Sequence, residues 1–416
     1  MKPKNTLVPA PISHRIDGLR RRRAVRELAR SAGRLGLPVW IVGGAVRDLW
    51  LGRPILDIDA VVAGDADPLA RLLERRGVGR IVTLSLDPPR VFRLAGRGME
   101  LDLAELWGGS IQTDLARRDF TANAIALPLP SGGPVDPFGG AADLASRRLR
   151  AVNAENIRED PLRSLRAARF LATHGLVPDR ATSRICRAAA GGLGGVAPER
   201  IRAELAKLLE APRAGPALAW AARARVLAPA LGLVLTASRE ARLACGSKCD
   251  ATAVVRLRPE ARLRARLALL ALAQGLAPAE ASRWLARRRW SREDAGAAGA
   301  LSGLAEAARP LATADDAWRW IRDAGPRAPD ALAVLEAFGP DGRRVARGLR
   351  RRLAAARPVP RVRGRDVLAW LDVPAGPAVG KLLGELEVAG LSGRVRTRRQ
   401  ARRWLAANAP AIIRSS

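Results

Sequence analysis

The sequence is poor in the residues that build disulfides and imidazole metal centres. Of its 416 residues, three are cysteine, two are histidine and none is tyrosine. Three cysteines cannot form the disulfide framework of a secreted domain, and two histidines exclude His-rich metal centres. Cys245 and Cys249 are four positions apart but lack the second ligand pair of a zinc site, so buried thiols in a reducing compartment are expected.

A segment suited to a membrane is also missing. The basic N-terminus is not followed by the apolar stretch of a secretory signal. The longest apolar run, 226–237, is interrupted by Pro229 and Gly232 and is too short to cross a bilayer. We therefore expect a soluble, cytoplasmic protein that has no membrane partner.

Positive charge, by contrast, is in large excess. Lys and Arg total 72 against 40 Asp and Glu, for a net charge of +32. Residues 1–150 hold 24 of the basic and 16 of the acidic side chains, so most of the excess lies in residues 151–416. A polyanionic partner is the usual reason for such an excess, and the basic C-terminal part is expected to bind nucleic-acid phosphates.

The two parts of the chain differ in hydrophobic pattern as well. Short β-rich runs recur in the first part, with helical patterns such as 68–76 between them. The runs are 39–42, 55–62, 80–84, 91–94 and 99–103. From about Asn153 these signals stop, and Ala-, Leu- and Arg-rich segments with helical spacing follow. The sequence therefore predicts an α+β fold, with a mixed N-terminal domain and an all-helical remainder.

Chemistry is expected near two features of the N-terminal domain. The first is Gly43-Gly44, where an apolar strand ends and a short helix begins. Adjacent glycines let the backbone approach a phosphate closely, and the amides of the following helix then face the anion. A Gly-Gly pair alone is more often a simple turn.

The second feature is Asp57-Ile-Asp59, which follows twelve residues after Gly44. Residues two apart on a strand point to the same side, so Asp57 and Asp59 are expected to share a face. Two carboxylates this close repel each other unless a cation lies between them, and oxygen-only sites suit Mg²⁺. A solvent-facing strand with two ordinary acids is the alternative. The apolar neighbours are expected to be buried on the opposite face: Leu56, Ile58 and Ala60.

A third carboxylate is predicted in the run 99–103. Asp102 is placed to complete a three-carboxylate cluster with Asp57 and Asp59, and Glu100 has the same parity and competes for that role. Metals held by such a cluster activate a hydroxyl group and stabilise a leaving oxygen in phosphoryl transfer.

These features together resemble a known family. Gly43-Gly44 followed by Asp57-Ile-Asp59 is similar to the nucleotidyltransferase signature of the polymerase-beta superfamily. With the flanking Arg47 it resembles, more narrowly, the class II tRNA nucleotidyltransferase and bacterial poly(A) polymerase family. Further stretches resemble this family's motifs and follow in its order: 117–124, 136–144, 159–170, 198–205 and 364–383.

The resemblance implies a domain organisation. Residues 1–150 would form a polymerase-beta-like nucleotidyltransferase head, a mixed sheet with helices, with a basic N-terminal extension to about residue 35. A helical neck (151–215) would select the nucleotide, and a helical body (216–357) would follow. A helical tail (358–416) would bind tRNA.

It also implies roles for single residues. Asp57 and Asp59 would hold Mg²⁺ and, with Asp102, form the catalytic set. Phosphates, ribose, base and supporting contacts would be provided by ten residues: Gly43, Gly44, Arg47, Arg118, Asp119, Asn123, Asp160, Arg163, Arg166 and Arg169.

The predicted selecting helix has a physical pattern of its own. Asp160 before Pro161 is typical of a helix start, with an N-cap and then proline at the first helical position. Arg163, Arg166 and Arg169 are three apart, so they lie on one side of the helix. Guanidinium groups on an otherwise apolar helix are costly unless an anion meets them.

The function expected from this resemblance is template-independent addition of C and A, from CTP and ATP, to the 3′ end of tRNA, with no DNA partner. One departure matters: only eleven residues separate Asp102 from Asp114, where full CCA-adding relatives carry a longer, mobile segment. In this family such shortening goes with enzymes that add C alone, so CC addition is the main alternative.

Three further functions are less favoured. An A-adding enzyme or a poly(A) polymerase is one, but the extra poly(A) polymerase motif is not visible near 89–94. A small-molecule nucleotidyltransferase would not need the Arg-rich helical part. A non-catalytic RNA-binding protein would be expected to have lost Asp57 or Asp59, and both are present.

Overall fold

The computed structural model describes residues 10–96, 99–232, 251–308 and 311–414. The chain divides into two compact units, Met1–Ala197 together with Arg223–Val234, and Pro198–Ala222 together with Leu235–Ser416. The predicted cysteine pair, Cys245 and Cys249, lies outside the described residues. None of the helices in the described ranges combines the length and the apolarity that crossing a membrane requires.

A six-stranded mixed sheet forms the centre of the first unit. Its strands are β1 (Val39–Val42), β2 (Asp57–Val62), β3 (Arg80–Ser85), β4 (Val91–Gly96), β5 (Met99–Glu105) and β6 (Ala126–Leu129). Their order across the sheet is β3-β4-β5-β2-β1-β6. Only β2 and β5 run parallel to each other, and every other neighbouring pair is antiparallel. The α+β class and all five predicted strands are confirmed.

Helices make up most of the rest of the first unit. In the first unit they are α1 (Ala10–Arg20), α2 (Arg23–Arg34), α3 (Gly44–Leu51), α4 (Ala66–Arg75), α5 (Ile111–Ala116), α6 (Gly140–Ala145), α7 (Ala154–Glu159), α8 (Leu162–His174), α9 (Arg180–Ala189) and α12 (Leu227–Leu231). Asp65 caps α4 by accepting a hydrogen bond from the Asp67 amide, and α4 packs on β4 through buried Leu69 and Leu73. The opposite face carries the predicted carboxylates and, beside them, a second apolar cluster that includes Val61 and Leu115.

A second, small sheet pairs β7 (Arg148–Leu149) with β8 (Val177–Pro178) in parallel. The strand β8 lies beyond Asn153, where strand signals were expected to stop. Two residues are too few to produce an alternating pattern, which is why the sequence did not indicate this strand.

The second unit is helical, and its described residues contain no strand. Its helices are α10 (Pro198–Glu210), α11 (Ala214–Arg223), α13 (Thr252–Val255), α14 (Pro259–Ala273), α15 (Pro278–Arg287), α16 (Arg292–Ala307), α17 (Ala314–Ala324), α18 (Ala328–Glu336), α19 (Gly339–Ala355), α20 (Gly364–Trp370), α21 (Pro377–Leu391) and α22 (Arg398–Arg414). The last three share a core around Val367, Leu386 and Leu405. The predicted helical part is confirmed, while its division into neck, body and tail stays a prediction.

Candidate active site

The diglycine turn joins β1 to α3 and lies against the acidic pair. Gly43 has φ +67° and ψ −129°, a conformation that side chains rarely adopt. A Cβ atom at Gly43 would lie 3.1 Å from Asp59 Oδ2 and 3.1 Å from Arg118 Nη1. The Gly44 amide donates a hydrogen bond to Asp59. Glycine at position 43 is therefore required both by the backbone and by the close approach of two charged groups.

Sheet register places the predicted carboxylates on one face. In the parallel pair β2–β5, Asp59 is opposite Asp102 and Asp57 is opposite Glu100. Directly paired residues on neighbouring strands point to the same side, so all four carboxylates share that side. Asp102 is therefore the acid beside Asp59, while Glu100 lies one level away beside Asp57.

The two members of the acidic pair differ in burial. Asp57 is exposed, whereas Asp59 is half-buried between strands. Burial raises the pKa of Asp59, and the neighbouring Asp102 carboxylate raises it further. Arg118, Arg47 and the Gly44 amide lower the pKa of Asp59 but do not reverse the shift. A nearby cation would therefore stabilise the ionised form of Asp59.

One sequence expectation about this strand is wrong. Ile58 and Ala60 are buried as predicted, with 0% and 1% of their surface exposed, but Leu56 is 72% exposed. The strand begins at Asp57, so Leu56 precedes the sheet and has no core position to fill.

The three predicted catalytic carboxylates differ in their contacts with the rest of the protein. Among the described residues, no group of three or more His, Cys, Asp and Glu side chains is arranged to hold a metal ion. Both oxygens of Asp102 accept hydrogen bonds from Arg93, over 2.8 Å and 2.9 Å. The oxygen donors of Asp57 and Asp59 fit a hard divalent cation, and the catalytic role of Asp102 stays a prediction.

Arg47 lies on α3 directly after the turn. Its Nε and Nη2 donate to the two oxygens of Asp48, each over 3.0 Å, and its Nη1 donates to Asn123 Oδ1 over 3.0 Å. Its guanidinium carbon also lies 5.2 Å from the centre of the Phe170 ring. The structure thus brings together Arg47 and Asn123, which lie 76 positions apart in the sequence.

Asp119 is the best-buried carboxylate of the predicted set. Its Oδ1 accepts from the Phe120 amide and from Asn123 Nδ2, each over 2.8 Å, and its Oδ2 accepts from Arg166 Nε over 2.9 Å. Burial alone would raise the pKa of Asp119, but Arg166, Asn123 and the Phe120 amide outweigh it, so that pKa is lowered. Asp119 therefore stays ionised and fixes Arg166 and Asn123.

Arg118 is held in a similar way. Its Nη2 donates to Asp114 Oδ2 over 2.9 Å, and Asp114 is itself 6% exposed. Because Arg118 also lies against Gly43, Asp114 positions this cation beside the turn.

The predicted selecting helix starts as expected to within one residue. Pro161 has helical dihedral angles and Asp160 extended ones, while the assigned helix α8 begins at Leu162. Asp160 Oδ2 lies 3.9 Å from Arg163 Nε. This places the two residues predicted to read the base next to each other.

The three arginines of α8 have different surroundings. Arg163 donates to the backbone carbonyl of Arg117 over 2.9 Å, and Arg166 pairs with Asp119. The guanidinium carbon of Arg169 lies 4.4 Å from the Phe170 ring centre. For Arg166, the anion that the sequence predicts near this helix is therefore the carboxylate of Asp119.

The connection between β5 and α5 is short and well anchored. It consists of residues 106–110, of which Trp107–Gly109 form one 3-10 turn. The Ser110 hydroxyl accepts a hydrogen bond from the Thr113 amide and so caps α5. The guanidinium carbon of Arg117 lies 4.7 Å from the Trp107 ring centre.

Known proteins resemble the chain over most of its length. Residues 39–85 and 87–150 match the Poly A polymerase head domain family. A relative from Geobacter sulfurreducens, a CC-adding tRNA nucleotidyltransferase, is 34% identical over 408 residues, which cover 89% of this chain and 92% of that protein. The chain belongs to the class II tRNA nucleotidyltransferase family. It is therefore an enzyme, and the non-catalytic alternative is not retained.

Two further matches extend this comparison. A multifunctional CCA protein from Stenotrophomonas maltophilia is 38% identical over 209 residues, 47% of this chain and 51% of that protein. The solved structure of a Bacillus stearothermophilus CCA-adding enzyme in complex with CTP has a TM-score of 0.70 and 27% identity, and covers 98% of this chain and 100% of that one. Polymerase-beta-like nucleotidyltransferases generally use divalent metal ions.

Some residues of this tRNA nucleotidyltransferase site were not predicted. His174, at the end of α8, lies with Nε2 3.4 Å from Asp48 Oδ1, and Asp48 in turn orients Arg47. Burial lowers the pKa of His174 to about 4, although Asp48 raises it. Histidine is rare in this sequence, so each of the two histidines could have been considered as a candidate, but only the fold shows that His174 lies near the site.

Asp143 was noted only as part of a motif. Its carboxylate is fully buried, accepts from the Thr121 hydroxyl over 2.7 Å, and pairs with Arg148 and with Arg150. These bonds tie Thr121, within the 117–124 motif, to Arg148 of β7 and to Arg150.

Proposed function

We propose that the enzyme adds cytidylate residues from CTP to the 3′ end of tRNA without a template and stops before the terminal adenylate. The supporting observation is the connection between β5 and α5. It holds five residues and is fixed at both ends by Trp107 and Ser110. The mobile segment expected of full CCA-adding relatives does not fit within it. The Geobacter relative, similar over nearly its whole length, carries the CC-adding name.

Full CCA addition from CTP and ATP is the second candidate, and it was the first expectation from the sequence. The similarity to a multifunctional CCA protein favours it, but that similarity covers only about half of the chain. A-adding and poly(A) polymerase activities have less support.

The proposal includes Mg²⁺ bound by Asp57 and Asp59. Bound there, the ion would activate the attacking hydroxyl group and stabilise charge on the transferred phosphate. Burial and the neighbouring Asp102 raise the pKa of Asp59, and a bound cation would favour the ionised form of this carboxylate.

The reaction is an in-line displacement. The 3′-oxygen of the RNA loses its proton to water and forms a bond to the α-phosphorus of CTP. The bond between the α-phosphorus and its bridging oxygen breaks, and that oxygen leaves with pyrophosphate. We assign the triphosphate to the diglycine turn with Arg47 and Arg118. Both guanidinium groups border the turn, 3.5 Å from a Cβ built on Gly44 and 3.1 Å from one built on Gly43.

Nucleotide selection is assigned to α8. Asp160 and Arg163 lie side by side at its start, where a carboxylate and a guanidinium present both acceptors and donors to a base edge. Asp119 and Asn123 would position the ribose, with Arg166 held in place by Asp119. Arg169 would support the same surface from its position over Phe170.

The RNA partner is assigned to the helical unit. On α19 five arginines are exposed, and Ala346 and Leu349 are buried on the opposite side. Such a stripe suits the phosphates and A-form shape of tRNA rather than its sequence. The five are Arg343, Arg344, Arg347, Arg350 and Arg351.

Product lengths test the proposal. The purified enzyme is incubated with tRNAs that lack the last three, two or one nucleotides of the CCA end, with one labelled nucleotide at a time. We expect two, one and no additions from CTP, and none from ATP. Efficient adenylate addition to the tRNA ending in CC would support the CCA candidate instead.

Asp57→Ala tests the assignment of the acidic pair. We expect incorporation to fall below detection while tRNA binding is retained, because Asp57 is exposed and makes little contribution to the core. Asp87→Ala, an exposed carboxylate in the turn after β3, is the matched control and should keep full activity. Normal incorporation by Asp57→Ala would contradict the assignment.

A further inference from the structure

Arg93 makes an unusually complete set of contacts with the third carboxylate. In the middle of β4, its Nε and Nη2 bind Asp102 Oδ1 and Oδ2 over 2.8 Å and 2.9 Å. Its Nη1 lies 2.9 Å from Glu100 Oε2. A bidentate guanidinium–carboxylate pair is the strongest and most directional arrangement of these two groups.

Sheet register puts this guanidinium group on the catalytic face. Arg93 is opposite Asp102 in the β4–β5 pair, and Asp102 is opposite Asp59 in the β5–β2 pair. Arg93, Asp102 and Asp59 therefore form one row across three adjacent strands. A guanidinium group stays protonated in proteins, so Arg93 brings a permanent positive charge to this row.

This row has a consequence for metal binding. A divalent cation held by Asp57 and Asp59 lies near a fixed positive charge, and Asp102 has both oxygens engaged. A cation that uses Asp102 as a ligand must therefore share its oxygens with Arg93, against the charge repulsion of the guanidinium group, or displace that group.

We propose that Arg93 is a resident counter-cation of Asp102 that competes with the divalent ion and so sets the metal affinity of the site. The proposal rests on the proposed binding of the ion by Asp57 and Asp59. Arg93 is a positioning residue in this reaction, because it acts through Asp102.

Mn²⁺ binding to the full-length enzyme without CTP or tRNA tests this. The free Mn²⁺ signal in electron paramagnetic resonance gives the dissociation constant directly. Arg93→Gln is expected to bind Mn²⁺ about tenfold more tightly than the wild type, because one nearby positive charge is removed and Asp102 is released. Arg93→Lys keeps the charge and is expected to stay close to the wild-type affinity.

Arg90→Gln is the matched control. Arg90 pairs with Glu105 over 2.7 Å, and its side chain is 33% exposed against 37% for Arg93. Glu105 has the opposite parity to Asp102 and accepts from the Ala66 amide at the start of α4, so this pair lies on the other face of the sheet. Arg90→Gln should leave Mn²⁺ affinity unchanged, and equal affinities for Arg93→Gln and wild type would overturn the proposal.

A second pair of variants decides the matter if Arg93→Gln does not fold. Asp102→Asn removes the carboxylate that Arg93 binds through both oxygens and should weaken Mn²⁺ binding slightly, and Glu100→Gln, which removes a single contact, should weaken it less. A much larger loss for Asp102→Asn would show that Asp102 is already a ligand and would overturn the proposal. Asp59→Asn tests the proposed metal pair separately. If Asp59→Asn abolishes Mn²⁺ binding while Arg93→Gln binds Mn²⁺ like the wild type, the pair stands and only the role of Arg93 is overturned. If Asp59→Asn binds Mn²⁺ like the wild type, the pair itself is contradicted.

Discussion

Gly43→Ala is expected to strain the backbone and also to disturb the catalytic site, and a comparison with Gly325→Ala separates the two effects. The alanine must adopt φ +67° and ψ −129°, which costs about 1–3 kcal/mol in a folded protein. Its Cβ would also lie 3.1 Å from both Asp59 Oδ2 and Arg118 Nη1, so one or both must move by a few tenths of an ångström. A misplacement of about 1 Å in an active site lowers the rate about a hundredfold. A movement of a few tenths of an ångström should therefore lower kcat/KM roughly tenfold.

The chain provides a control with the same backbone conformation. Gly325 has φ +48° and ψ −130°, but nothing lies within 4 Å of a Cβ built there. Gly325→Ala should therefore destabilise its unit by a similar amount, about 1–3 kcal/mol, and leave kcat/KM unchanged.

The assay combines urea denaturation with CTP incorporation under conditions where both variants are folded. Equal activity of Gly43→Ala and the wild type would refute the close approach of the turn to Asp59 and Arg118. Equal loss in both alanine variants would show that general destabilisation, and not the contact, controls activity.

Two further predictions concern buried charge. The pKa of His174 is about 6.5 in the unfolded chain and about 4 in the folded one, so the unfolded chain binds the proton first as the pH falls. Acidification from pH 7 to pH 5 should therefore lower the free energy of unfolding of the wild type by about 2 kcal/mol more than that of His174→Gln. Identical shifts of the urea midpoint for both proteins would contradict this. Arg166→Leu leaves Asp119 buried without its cation and should destabilise the first unit by about 3 kcal/mol, and adding Asp119→Asn should recover part of that loss in the same urea titration. Additive effects of the two substitutions would rule out the pairing.

Much of the head was predictable because its strands follow simple patterns. The runs around β1, β2 and β5 are apolar or alternate, and the glycine turn and acidic pair sit at their ends. The strand β6 was missed because Pro128 lies inside it, and proline argues against a central strand. In the structure β6 is an edge strand, where proline is tolerated, but the strand order that shows this is not visible in the sequence.

The position of Arg93 was less accessible. Its parity within β4 can be read from the sequence, but its partner depends on the register between β4 and β5. A shift of one residue would turn Arg93 to the face covered by α4. The contact between His174 and Asp48 was equally inaccessible from the sequence, because no local pattern links residues that are so far apart in the chain.

Four arginines of the site are each paired with a carboxylate, and the residue types alone did not predict these pairs. Arg47 is held by Asp48, Arg118 by Asp114, Arg166 by Asp119, and Arg93 by Asp102. Each guanidinium group is thus positioned by a carboxylate before any nucleotide arrives, which keeps several like charges close together in the absence of phosphate. A triphosphate bound as proposed would therefore share Arg47 and Arg118 with their carboxylates and would not fill an empty cationic pocket. Removing one arginine frees a carboxylate that repels the nucleotide, so a single substitution overstates the contribution of that arginine, and only paired substitutions measure it.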